Sequence, residues 1–317
     1  MSLLNEVLAQ YRFQCPEAKF IRHNENMTYS VADGEKKYLL RIHKEAEGLD
    51  FSFQCGGRPR ASFIAGEMEL LNLLSEKMTV QKPIKNRNGE YLTQLKTGET
   101  ATVLTWLEGS EVTARDKSEE LAFHIGAMIG RLHNTCSELP KLDRYRYDDT
   151  MCAGVLHEIT EGYEKGHIEE GHYKCISCYL LKFGDSLSQK QDSMILVHCD
   201  FSESNIILHK GLLVPIDFSL SGYSLPEMDI ADMICSLDNE GLVPGLLRGY
   251  RSESRFGIHE EYVDVYRAFS VVMYIAYHHH RFPGEDNEKL SKNLDRWCET
   301  LFSPALEKLE SICDSER

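Results

Sequence analysis

The chain has 317 residues, enough for one large domain or two ordinary ones around a core that needs no covalent or metal staples. A hydrophobic content of 42% with 27% charged residues excludes a disordered or fibrous chain. With 50 acidic against 35 basic residues the net charge is −15, which excludes a nucleic-acid partner in the absence of a basic stripe, and the sequence has none. The same field mildly favours a cationic substrate. Ten cysteines without framework spacing, several in apolar context (Cys136, Cys235, Cys298), read as reduced, buried thiols of a cytosolic protein.

The N-terminus, MSLLNEVLAQYRF, reads as an amphipathic helix and lacks the basic and apolar regions of a signal peptide. Next come three strand-like runs. KFIR (19–22) leads through the polar loop HNEN (23–26) to MTYSVA (27–32), then the turn DGEK (33–36) and KYLLRI (37–42). Asp-Gly between alternating runs signals a hairpin. The polar, Gly-rich FSFQCGGRPR (51–60) reads as a loop. Residues 61–78 have helical period, with Ile64, Met68, Leu71, Leu74 and Met78 on one stripe.

Residues 88–95 and 99–107 read as two more strands, and 119–136 as a helix with Leu121, Ile125, Met128, Ile129 and Leu132 on its apolar face. The remainder is mostly helical apart from 196–217. FSVVMYIAY (269–277) is too short to span a bilayer, so the expectation is a soluble cytoplasmic protein without a membrane partner. Nothing in the sequence marks an oligomeric state. Strands first and helices later imply an α+β class. The expected parts are a small strand-rich region over 1–104 and a larger helical one over 105–317.

Within HCDFSESNIILHKGLLVPIDFS (198–219), Lys210-Gly211 between aliphatic runs predicts a two-residue hairpin loop. Residue 208 should then face 213, and 206 should face 215, which brings Asn205 and Asp217 together at the open end. Asp200 lies in the entering loop. One carboxylate and one amide oxygen form a hard-oxygen pair suited to Mg²⁺, which keeps few protein ligands. A second carboxylate nearby can accept a proton from a hydroxyl that attacks phosphorus.

This segment resembles the catalytic core of the aminoglycoside phosphotransferase and choline kinase-like superfamily. The shared motif is His-x-Asp, four residues, Asn, then Ile-Asp-Phe/Trp, and the chain has His198-Cys199-Asp200, Asn205 and Ile216-Asp217-Phe218. The resemblance covers about 20–280. It implies a two-lobed protein-kinase-like fold, ATP and Mg²⁺ as cofactors, Asp200 as catalytic base and Asn205 and Asp217 as metal ligands. His198 would brace the loop, and Asp229 in PEMDIADMI would be structural. It also implies Arg41 on the donor phosphates, an Arg41–Glu67 ion pair, and an inter-lobe hinge at VLTWLEG (103–109) whose backbone around Thr105–Leu107 meets the adenine. Three departures stand out. Cys199 replaces a frequent Gly, Ser219 follows Asp217-Phe218 where protein kinases have Gly, and HNEN must serve in place of a Gly-rich phosphate loop.

The function implied is phosphorylation of a hydroxyl on a small molecule. An idle nucleotide-binding protein is the competing reading, weighed down by the complete Asp/Asn/Asp set. A protein kinase is disfavoured because no Ala-Pro-Glu segment follows Asp217. Acceptor contacts are expected from 140–185 and 220–281. Glu158, Glu161, Glu227 and Asp238 there can bind an amine or form a solvated face. His172-x-x-Cys175-x-x-Cys178 has the spacing of metal ligands, but a helix through it would make both cysteines core residues. The histidines at 278–280 fit a helix C-terminus.

Overall fold

Alternating side chains and two tight reversals turn the first hundred residues into an antiparallel sheet. The computed structural model describes residues 2–46, 51–112, 117–281 and 287–315. Helix α1 (Leu3–Ala9) starts at Ser2, whose hydroxyl accepts the Asn5 N–H. Strands β1 (Glu17–His23), β2 (Met27–Asp33) and β3 (Lys36–His43) follow. A 3₁₀ turn, Ser52–Cys55, occupies part of the stretch expected as loop, and helix α2 (Arg60–Leu74) succeeds it.

The expected strand at 88–95 shrinks to β4 (Thr93–Gln94). Asn86 takes over the preceding residues, its side-chain oxygen accepting the N–H groups of Asn88 and Glu90 at 3.0 Å. A side-chain turn thus competes successfully with the ladder. Strand β5 (Thr100–Thr105) completes a sheet ordered β1-β2-β3-β5-β4.

Period two sorts the side chains of β3. Leu40 and Ile42 join Val7, Tyr11, Val31 and Val103 in a small core beneath α1. Arg41 and Leu39 therefore point to the opposite face, where both line a cleft. Helix α2 contributes Phe63, Met68, Leu70, Leu71 and Leu74 to the larger core, so its packing ties the sheet region to the helical one.

Beyond β5 come β6 (Ser110–Glu111), α3 (Glu119–Ser137), β7 (Tyr145–Arg146), α4 (Asp149–Glu164), α5 (Glu170–Ser188) and β8 (Ile195–Val197). The hairpin β9 (Ile206–His209) and β10 (Leu212–Pro215) has the expected register, Leu208 opposite Leu213 and Ile206 opposite Pro215. Lys210 (φ 50°) and Gly211 (φ 80°) both adopt positive φ, as a type I′ loop requires. Strand β6 pairs with β9, so the chain leaving β5 is clamped to this hairpin.

Strand β11 (Gly222–Ser224) lies between β7 and β8. Helices α6 (Glu227–Leu237), α7 (Val243–Glu253), α8 (Glu260–His278), α9 (Asn287–Trp297) and α10 (Ser303–Ser315) close the larger part. The architecture is a small antiparallel-sheet region joined to a mainly helical one. Among the described residues no helix is long and apolar enough to cross a membrane.

Candidate active site

Four segments far apart in sequence meet in a cleft of about 400 Å³ between the sheet and the hairpin. From β3 comes Arg41, only 4% exposed, whose Nη2 donates to Glu67 Oε1 of α2 at 2.6 Å. Its Nη1 reaches Asp217 Oδ1 at 3.4 Å, while Arg22 of β1 reaches Asp217 Oδ2 at 3.3 Å. Burial opposes the Arg41 charge, but Glu67 and Asp217 outweigh it and raise its pKa. A guanidinium this deep requires such partners.

Asp217 follows β10 with φ 63°, a conformation costly for a residue with a side chain. Surrounding contacts hold it there. The Ile216 N–H donates to the Asn205 carbonyl at 2.9 Å. Arg144, 2% exposed, donates to the carbonyls of Phe218 (3.0 Å), Ser219 (2.7 Å) and Ser221 (2.9 Å), and also to that of Phe63 on α2. Gly66 lets α2 come this close, since a Cβ there would lie 2.0 Å from the Asp143 carbonyl oxygen.

Asp200 is bound to Asn205, whose Nδ2 donates to the Asp200 carbonyl at 2.8 Å and to its Oδ2 at 2.9 Å. Both partners are acceptors, which fixes the amide's orientation and leaves its Oδ1 as the atom able to ligate a cation. Asn205 and Asp217 both line the cleft. This donor set, one amide oxygen and one carboxylate, fits an ion that takes its remaining ligands from phosphate and water. Burial pushes the Asp200 carboxyl well above the usual range, and Asp217, Glu25 and Asp232 add to the effect.

The loop before Asp200 is held from beneath. Asp229 of α6 accepts the N–H groups of His198 (2.9 Å) and Cys199 (2.7 Å), and His133 Nε2 lies 2.8 Å from it. This grip maintains Cys199 at φ 61° without glycine. Burial raises the Cys199 thiol pKa far up, so it is an inert space-filler. His198 Nε2 donates to the Ile216 carbonyl at 3.0 Å, and its ring packs on Phe201 and Phe218. Burial holds this ring neutral.

Of the hinge residues, Leu107 and its neighbour Trp106 line the cleft, together with Ile21, Leu39, Ile207 and Ile216. Thr105 does not. Its N–H is given to the Lys82 carbonyl at 2.8 Å and its carbonyl accepts from Gln81. The loop 24–26 also lines the cleft and carries Glu25, whose pKa burial and Asp217 raise to about 7.

Other sequence candidates lie elsewhere. Glu158 pairs with His279 at 2.8 Å, Glu161 with Lys165, and Glu227 accepts the His259 N–H. His279 is thus a buried hydrogen-bond partner of Glu158, more than a complement to the helix dipole. His172 Nε2 lies 2.8 Å from Asp295, Cys175 hydrogen-bonds Cys298, and Cys178 is exposed rather than in the core. Cys235 too is exposed, against the expectation from its apolar context. Phe282–Gly284, after the histidines, lie outside the described residues. Arg22, Arg144 and Asp232 were not singled out by sequence. Only Asp232 left a signal, lying three residues after Asp229 and so on the same side of α6.

No curated protein matches the chain in sequence. Many solved structures share its fold, among them three small-molecule kinases. An amicoumacin kinase, hAmiN, solved with AMP-PNP and Ca²⁺, is 21% identical with a TM-score of 0.73, covering 94% of this chain and 92% of that one. A microcompartment-associated aminopropanol kinase is 16% identical with a TM-score of 0.67, over 99% and 97%. A choline kinase from Cryptosporidium parvum is 15% identical with a TM-score of 0.62, over 95% and 91%. Residues 17–262 match the family model described as "Phosphotransferase enzyme family", and the chain, with its kinase-like fold, belongs to that family of small-molecule kinases.

Proposed function

We propose that the protein transfers the terminal phosphoryl group of ATP to a hydroxyl of a small molecule. The observation that carries this reading is the convergence of Arg41, Asp200, Asn205 and Asp217 on one cleft, with Glu67 outside it holding Arg41. Residues 1–104 form the nucleotide-binding lobe in this reading and 105–317 the lobe that holds the acceptor. The adenine lies on the apolar shelf at Trp106–Leu107. Arg41, oriented by Glu67, meets the donor phosphates, and Arg22 is a second cation within reach of them.

Asn205 and Asp217 would hold Mg²⁺, which neutralises charge on the transferring phosphates. Asp200 orients the acceptor hydroxyl and takes its proton as the oxygen attacks phosphorus. Positioning and charge neutralisation supply most of the rate in this chemistry. The test is ADP release from Mg·ATP across amino sugars, choline, ethanolamine, homoserine and methylthioribose, with Asp200→Asn as control. An acceptor-dependent release confined to the wild type is expected. Failure to bind Mg·ATP would overturn the reading.

A further inference from the structure

Helix α5 and the junction of α9 with α10 face each other along two rungs. The first joins His172 Nε2 to Asp295 Oδ1 at 2.8 Å. Three residues further along each segment, about one helical turn on, the second joins the thiols of Cys175 and Cys298, which hydrogen-bond to each other. Cys298 opens a single π turn, Cys298–Phe302, that packs against α5. Such turns occur mostly as isolated bulges in helices, often at functional sites. Both cysteines are half-buried, and Asp295, 67% exposed, opens the neighbouring rung to solvent.

A disulfide needs two sulfurs within reach of each other, which the thiol contact supplies. It also needs a thiolate to start from. The Cys298 thiol and the Ser303 hydroxyl hydrogen-bond the Cys175 sulfur, and His172 favours its negative charge, so that against burial this thiol is brought down to about 7. The same hydrogen bond, together with burial, pushes Cys298 up. The His172 Nδ1 is buried without a hydrogen-bond partner among the described residues, which leaves a proton acceptor one turn from Cys175. Burial drives Cys136, Cys152 and Cys199 the other way and makes them unreactive.

We propose that Cys175 and Cys298 form a reversible disulfide on exposure to a hydroperoxide, with Cys175 the attacking thiol and Cys298 the resolving one. The Cys175 thiolate attacks one oxygen of hydrogen peroxide and becomes a sulfenic acid. The displaced hydroxide takes up the proton that the thiol released and leaves as water. The Cys298 sulfur then attacks the sulfenic sulfur, and a second water departs. The two thiols together give up two electrons and two protons, and the peroxide O–O bond is reduced by them. The new bond fastens α5 to the junction of α9 and α10. Where thiols are kept reduced it is transient. The proposal is independent of the phosphotransferase reading.

Peptide mapping of the reduced full-length chain after mild hydrogen peroxide treatment tests this. A Cys175–Cys298 cross-link, reversed by dithiothreitol, should be the main product. Cys178, exposed one turn further along α5, is the internal control and should stay unlinked. Oxidation in urea should scatter the pairing among the ten cysteines. Cys298→Ser should stop at a Cys175 sulfenic acid that dimedone traps. If another pair or no pair is linked, or if the unfolded chain gives the same cross-link as readily, the proposal is wrong. A Cys175→Ser chain that still yields a sulfenic acid at Cys298 would overturn the assignment of the attacking thiol. The wild-type map decides the pairing even if a variant folds poorly.

Discussion

The cleft at Arg41 and the cavity beside Asp232 are both rich in carboxylates, yet they treat charge in opposite ways. In the cleft, Arg41 and Arg22 contact Asp217 directly, and Glu67 anchors Arg41. In the cavity, Asp232 accepts from the Ser270 hydroxyl and the Phe201 backbone N–H, and among the described residues no cation contacts it. The difference separates carboxylates balanced by a cation from one met only by neutral donors. Breaking the first kind is costly, and the second costs stability whenever it is ionised.

The sharpest way to break the comparison is at Asp200, which lines both regions. Asp200→Asn should lower turnover by about 10²–10⁴-fold, the usual contribution of a positioned base, with little change in Mg·AMP-PNP affinity by calorimetry. Retained turnover would remove Asp200 from the chemistry. Next is the balanced side. Glu67→Ala strands the buried Arg41 charge and should cost about 3–5 kcal/mol in urea unfolding, with weaker nucleotide binding.

The unbalanced side should respond with the opposite sign. The Asp232 carboxyl is raised in the fold, so its protonated form is favoured there relative to the unfolded chain. It favours folding at low pH, and that contribution is lost as pH rises from the unfolded value near 4 through about 7. Asp232→Asn should therefore be more stable than the wild type at pH 8, by on the order of a few kcal/mol in urea unfolding, and lose its advantage toward pH 4. A variant less stable than wild type at pH 8 would mean the carboxylate is already well compensated. The smallest effect belongs to Arg22, whose side chain is 57% exposed. Arg22→Ala should change stability by less than about 1 kcal/mol while raising the KM for ATP.

Much of this arrangement was legible in the sequence because it is local or periodic. Lys210-Gly211 specifies the hairpin register, and with it the proximity of Asn205 and Asp217. Glu67 on an apolar helix stripe calls for a cation, and Arg41 is the one it meets. What escaped notice depends on chain crossings that no local pattern encodes. Arg144 looks like any arginine before a Tyr until four carbonyls from two distant segments surround it. Glu25 sits in a polar loop whose neighbours come from another part of the fold. Asn86 defeated a plausible strand through hydrogen bonds within a few residues, a competition that hydrophobic alternation does not report.

Arg144 has a mechanical consequence. Its guanidinium grips the Phe63 carbonyl on α2 and three carbonyls of the loop after Asp217. Glu67 and Asp217, the two partners of Arg41, are thus mounted on elements fastened to one rigid bolt, with Gly66 seated against the Asp143 backbone beside it. Helix α2 cannot swing outward as a switch without tearing out that bolt. In the proposed phosphoryl transfer, the residues assigned to the donor phosphates would stay assembled whether or not an acceptor is bound.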